Sequence, residues 1–319
     1  MESGKKSDGM DFISSRARGF QSHLLWSALL LGACLSTHAQ TPSPSPVATP
    51  PPSDVVIVDV VNKGGNLTLG APVKISTYVG YNNQPFFLPD GRSVLYTSIR
   101  NGQADIYRYD IARGGTSQVT NTPESEYSPT LMPDGKNISV VRVEADGAQR
   151  LWRFPLAGGA PSVILENIKP VGYHWWLDRN TLALFILGSG GKPATLQIAD
   201  LRTGKVEVIS ENPGRILRLI PHQHKLSFVH KISDQEWIIK SYDLKTKQIS
   251  ELARTLPAVE DYAWLPDGSL LMGKDAKLFK WSPDSKNWQE ISDLSATGLK
   301  SMTRIAVSPK GDRIAIVSR

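Results

Sequence analysis

One cysteine, Cys34, stands in 319 residues. That count excludes a disulfide framework, a multi-thiolate metal site and an iron–sulfur cluster. No basic tract occurs, and 36 Lys+Arg against 30 Asp+Glu leave a net charge of only +6, so nucleic acid is not an expected partner. No apolar run reaches the roughly 20 residues that a spanning helix needs. Gly-x-Ser-x-Gly, His-Glu-x-x-His and the EF-hand loop are all missing. So is any apolar pattern at helical spacing over three turns. Turn chemistry is what abounds: 26 glycines and 22 prolines, about one residue in seven.

The N-terminal part reads as a leader and a spacer. Lys5, Lys6, Arg16 and Arg18 precede the 12-residue apolar run Leu24–Leu35, and Thr37-His38-Ala39 offers small residues for cleavage. Residues 1–39 are therefore expected to be a signal peptide and the protein to be exported to the periplasm. Cys34 opens an alternative, because Leu31-Gly32-Ala33-Cys34 resembles a bacterial lipobox. Acylation there would make a membrane-tethered lipoprotein. Residues 40–53 read as a Pro/Ser-rich linker, a composition that favours extended polyproline conformation. Residues 54–319 hold the fold.

That region repeats. Pro89-Asp90-Gly91 returns as Pro133-Asp134-Gly135, Pro266-Asp267-Gly268 and, altered, Pro309-Lys310-Gly311. A period of about 44 residues puts two degenerate anchors at Leu177-Asp178 and Pro221-His222. Two residues before the anchors stand Phe87, Leu131, Trp175, Leu219, Trp264 and Val307; Pro85, Pro129, Tyr173, Leu217, Tyr262 and Ile305 stand four before. This period-2 burial marks a strand ahead of each turn. Three more strands follow, for instance Val94–Tyr96, Asp105–Asp110 and Gln118–Thr120. Four antiparallel strands per period give an all-β, six-bladed β-propeller. The last repeat has only its first two strands, so Asp54–Asp59 and Pro72–Ser76, turning at Gly64-Gly65, are expected to complete it.

The stretch Gln84–Asp110 resembles the repeat of the TolB-type, PDG-containing WD40-like propeller family. Pro85-Phe86-Phe87-Leu88-Pro89-Asp90-Gly91 and Ser98-Ile99-Arg100-Asn101-Gly102-Gln103-Ala104-Asp105-Ile106-Tyr107 carry the likeness. It implies the fold and says little about function. TolB has an α/β domain ahead of its propeller, whereas only the leader and linker precede the blades here, so a Tol–Pal role is not carried over. The same propeller also occurs on prolyl-oligopeptidase-like hydrolases, and their catalytic domain is not found between residues 54 and 319.

Propeller ligands sit where the first strands converge on the channel. Residues five or six before each anchor are expected there: Asn83, Gln84, Tyr127, Ser128, Arg215, Glu260, Asp261, Thr303 and Arg304. His174 and Arg218 lie three before. Such mixed charge suits a protein or peptide partner. The expected function is non-enzymatic binding by a monomer without cofactor or metal. The alternative is a metal-dependent propeller lyase or lactonase, which needs three or four convergent His, Asp or Glu ligands. His222-Gln223-His224 reads as a solvated turn, and Trp175-Trp176 as packing between blades. Replacing Asp261 and Arg304 together is expected to leave melting nearly unchanged.

Overall fold

A computed structural model describes residues 50–319. The signal-peptide region, Cys34 and linker residues 40–49 lie outside the described residues. The Pro-Asp-Gly turns set the architecture. In the first, Gly91 N–H donates to Leu88 O at 2.9 Å and Asp90 Oδ1 accepts from Arg92 N at 2.9 Å. Gly91 has φ 65°, a left-handed value that glycine takes without a steric penalty.

Three strands come first, β1 (Asp54–Lys63), β2 (Asn66–Leu69) and β3 (Val73–Lys74). Blade one follows as β4 (Asn82–Phe87), β5 (Ser93–Arg100), β6 (Gln103–Asp110) and β7 (Gly115–Gln118). Blade two is β8 (Ser125–Leu131), β9 (Asn137–Val143), β10 (Gln149–Pro155) and β11 (Ser162–Val163). Blade three is β12 (Val171–Trp176), β13 (Thr181–Ile186), β14 (Thr195–Asp200) and β15 (Val206–Glu211). Blade four is β16 (Pro213–Leu219), β17 (Lys225–Lys231), β18 (Trp237–Asp243) and β19 (Ile249–Arg254). Blade five is β20 (Ala263–Trp264), β21 (Leu270–Lys274), β22 (Lys277–Trp281) and β23 (Trp288–Asp293). The chain ends with β24 (Met302–Val307) and β25 (Arg313–Ser318). Each of the first five blades is a four-stranded sheet in chain order, and the sixth joins β24 and β25 to β1. The fold is a six-bladed β-propeller.

Ring closure is the β1–β25 pairing, from Asp54↔Ser318 to Asp59↔Arg313. Val55, Val58 and Ile314 to Val317 are fully buried along it. The outer edge differs from expectation. β1 runs on to Lys63 and turns at Gly64-Gly65 into β2, while Val73–Lys74 makes only two pairs with β1. Lys280 Nζ donates to Gly65 O at 2.9 Å and ties this hairpin to blade five. Ser53 also departs from its composition. It is 4% exposed, and its N–H and C=O bond Gly80 O and Asn82 N at 3.0 and 3.1 Å, so it is locked into the ring.

A second correction concerns register. Paired residues closing each first turn are Phe87, Leu131, Trp176, Leu219, Trp264 and Val307. The third anchor is therefore at Asp178, one residue later than periodicity places it. Leu177-Asp178-Arg179-Asn180 has neither Pro nor Gly to mark where the turn begins. Trp176 packs in the cluster between blades two and three, while Trp175 packs against the cluster between blades three and four and also meets Phe86.

The core lies between blades. One cluster joins Ala183, Leu196 and Ile198 of blade three to Leu217, Leu226, Phe228 and Tyr242 of blade four. Another joins Leu95 and Ile106 to Ile138, Val140 and Phe154. Each buried side chain contributes about 1.5–3 kcal/mol, so every blade is held by its neighbours.

Candidate functional site at the channel mouth

The first strands bend where they reach the channel. Register shifts interrupt β4 between Asn83 and Phe86, β8 between Tyr127 and Thr130, and β24 between Met302 and Arg304. Gln84 and Ser128 sit at φ 58° and 56°, strained values for residues with a Cβ. Their strain is held by a shared contact, because Gln84 Oε1 accepts from Ser128 N at 2.9 Å and from Thr97 Oγ1 at 2.8 Å.

With the corrected register, the residues five before the anchors are Gln84, Ser128, Tyr173, Ile216, Asp261 and Arg304. All six line one cavity of about 50 Å³, together with Arg215, His174 and Arg218. Asn83, Tyr127 and Glu260 do not line it. Asn83 is buried and its Oδ1 accepts from Gln84 N at 2.8 Å; Tyr127 packs beside Val171 and Leu184. Glu260 faces Arg215 at 3.4 Å and Lys231 at 2.7 Å. Side chains alternate along a strand, so one residue of offset turns these three away. Thr303 contributes its carbonyl, which accepts from Arg215 Nη2 at 2.8 Å.

Asp261 is the hub. Its Oδ1 accepts from Ile305 N at 2.8 Å, and its Oδ2 lies 3.6 Å from Arg215 Nε and 3.8 Å from Arg304 Nη1. Asp261 is 4% exposed and Arg304 9%, so removing either one alone leaves a buried charge uncompensated. Burial pushes the Asp261 carboxyl above its usual range, against the pull of Arg215 and Arg304. Arg304 Nη2 donates to Tyr173 Oη at 2.9 Å. Tyr81, unmarked by the repeat, joins this rim. Burial drives its pKa up to about 12, outweighing the Arg304 and Arg215 charges beside it.

Deeper in, Phe86 of blade one meets Trp175 of blade three at 6.0 Å, and Arg218 stacks on Trp175 at 4.2 Å. These blades are not neighbours, so the contact crosses the channel. Trp176, by contrast, staples blade three to blade two, its Nε1 donating to Ser139 Oγ at 2.8 Å. Blades four and five repeat the device: Ser227 Oγ accepts from Trp264 Nε1 and Tyr262 Oη at 2.8 and 2.9 Å and donates to Arg218 O at 3.0 Å. His174 takes the place of Tyr262, with Nε2 2.7 Å from Ser139 Oγ, and Ser139 donates to Thr130 O at 3.3 Å. The parallel assigns the proton to Nε2 and leaves Nδ1 as a lone pair. Burial lowers the His174 pKa to about 3, so the ring is neutral.

Amino-acid comparison finds a Francisella tularensis relative named Tol-Pal system protein TolB, 35% identical over 78 residues. These make 21% of this chain and 18% of that protein. Structural comparison finds an Agrobacterium tumefaciens protein described as a TolB candidate. Its TM-score is 0.63 at 16% identity, with 84% of this chain and 98% of that one covered. The chain shares the propeller fold of these proteins and is similar to TolB over about a fifth of its length. Dipeptidyl-peptidase 5 of Porphyromonas gingivalis is 29% identical over 167 residues, 49% of this chain and 24% of that protein. An oligogalacturonate lyase bound to manganese shares the fold at TM-score 0.51 and 14% identity, covering 85% and 98%. No family model matches.

Two further features of this propeller bear on chemistry. Among the described residues no group of three His, Cys, Asp or Glu could hold a metal. His222, in the turn after β16, has Nε2 3.2 Å from Pro266 O. Between blades one and two lies a second buried charge cluster. Glu126 is fully buried, Asp105 4% exposed, and Arg142 sits 3.6 Å from Glu126, bonds Glu124 and stacks on Trp152 at 4.4 Å. Asp105 accepts from Gln118 Nε2 at 3.1 Å and Thr120 Oγ1 at 3.3 Å. Burial, reinforced by the Asp105 charge, pushes Glu126 up to about 7.

Proposed function

We propose that this chain is an exported, non-enzymatic binding propeller of the bacterial cell envelope that engages a protein or peptide at the channel face. One observation carries the reading. All six blades direct side chains into one small polar cavity, in which Ser128 Oγ, His174 Nδ1, Arg215 Nε and Asp261 Oδ2 are buried without hydrogen-bond partners. Buried polar atoms are nearly always satisfied, so a cluster of exceptions at a strained site marks a place for a ligand. The likeness to TolB supports an envelope setting. Export through residues 1–39, or tethering through Cys34, belongs to this proposal, as does the division into leader, linker and ring. Among the described residues no helix is long and apolar enough to cross a membrane. A metal-dependent lyase is the less supported alternative, since no such donor set is assembled among the described residues.

Val79, 87% exposed in the loop leading into β4, and Lys136, exposed in the turn before β9, mark the two faces of the ring. Envelope extract passed over immobilised propeller tests the reading. Capture should weaken at least tenfold with Val79→Glu and stay unchanged with Lys136→Glu. Equal capture by both variants overturns it.

A further inference from the structure

The cavity at the channel mouth has a specific imbalance. Arg215, Arg218 and Arg304 face it with Asp261 as the only carboxylate among its lining residues. Glu260, just outside, is matched by Lys231 at 2.7 Å. Arg218 has no carboxylate within salt-bridge distance among the described residues; its Nη1 donates only to Leu217 O, at 2.8 Å. Arg218 is half-buried, and a guanidinium partly withdrawn from water with no anion opposite it is costly, while its planar fork matches a carboxylate. The unpartnered atoms add a second requirement. Arg215 Nε and Asp261 Oδ2 face each other at 3.6 Å, which leaves His174 Nδ1 as an acceptor with no partner and Ser128 Oγ able to serve as either. An occupant must therefore bring negative charge and a hydrogen-bond donor together. The volume, about 50 Å³, is roughly three to five times the ~10–15 Å³ that one water needs. That admits a carboxylate, the carbon bearing it and one further polar atom.

We propose that the channel mouth is a receptor for a carboxylate with a hydrogen-bond donor on the adjacent carbon, as at the C-terminus of a peptide or in a free hydroxy acid. Arg218 and Arg215 hold the carboxylate, and Asp261 and His174 accept from the neighbouring N–H or O–H. The site deepens the channel-face reading and rests on it for the identity of its natural occupant.

Calorimetric titration of the full chain with N-acetylglycine, N-acetylglycinamide, acetate and glycolate tests the assignment. N-acetylglycine should saturate the site, the amide should bind at least tenfold more weakly, and acetate about fivefold more weakly for want of the donor. Glycolate tighter than N-acetylglycine identifies a free hydroxy acid as the source, and the reverse order a peptide end; both support the proposal. Arg218→Gln should remove at least nine-tenths of the affinity. Ser128→Gly, which suits the backbone at φ 56°, should weaken binding about threefold while the ring stays folded. Absence of saturation, equal binding of acid and amide, or acetate as tight as N-acetylglycine overturns it. Loss of envelope capture in Val79→Glu without any probe binding sinks this site and spares the channel-face reading. Probe binding with capture indifferent to both surface variants does the opposite.

Discussion

Two clusters of buried charge in this ring have opposite signs. At the channel mouth three arginines share one lining carboxylate, Asp261; at the seam between blades one and two, Asp105, Glu124 and Glu126 cluster near Arg142. The seam can neutralise itself, because a carboxyl group takes up a proton: Glu126, raised to about 7, does so close to neutral pH. An arginine has no such exit. The excess at the channel must be met by water or by an anion from outside. Negative surplus can thus be structural, whereas positive surplus invites a ligand.

The largest effect expected is from Asp261→Ala. It leaves Arg215 and Arg304 without their carboxylate and Ile305 N–H without its acceptor, and should cost about 3 kcal/mol in urea unfolding. A loss below about 1 kcal/mol would mean the mouth tolerates unopposed arginines, and the contrast would collapse. Arg142→Gln should cost on the order of 2 kcal/mol at pH 8, where the seam carboxylates repel, and clearly less at pH 5. An equal loss at both pH values would show that Arg142 acts through its packing on Trp152.

The smallest effect is a slope. Glu126 keeps its proton in the folded state up to about 7, against an ordinary value of 4.5. Between those values the folded ring binds more protons than the unfolded chain, so this group's stabilisation is lost as pH rises. Glu126→Gln should flatten that part of a melting-temperature profile. His174 acts with the other sign, its stabilising neutrality being lost as pH falls from 6.5 towards about 3. A profile unchanged in Glu126→Gln would remove the proposed proton from the seam.

Much of the ring was legible. Val94–Tyr96 and Asp105–Asp110, expected as strands, lie within β5 and β6, and β1 pairs with β25 as expected. Gln84, Ser128, His174, Arg215, Arg218, Asp261 and Arg304 meet in one cavity. Where no Pro or Gly fixed the turn, at Leu177-Asp178, the register slipped by one residue. That slip hid Tyr173 from the site. Asn83, Tyr127 and Glu260 were misplaced because the bulges in the first strands decide which alternate residue looks inward. Tyr81 has no repeat position to betray it.

The amino-acid sequence by itself determined the period, the blade number and the closure of the ring, since these follow from local turn chemistry and alternation repeated six times. Only the tertiary structure decided what the channel holds. Phe86 and Trp175 close it from blades that never touch in the chain, and Asp261 binds Arg215 and Arg304 from three different blades. Such partners are separated by one or more whole repeats, and no local pattern records which side chains will share a cavity once the ring has closed.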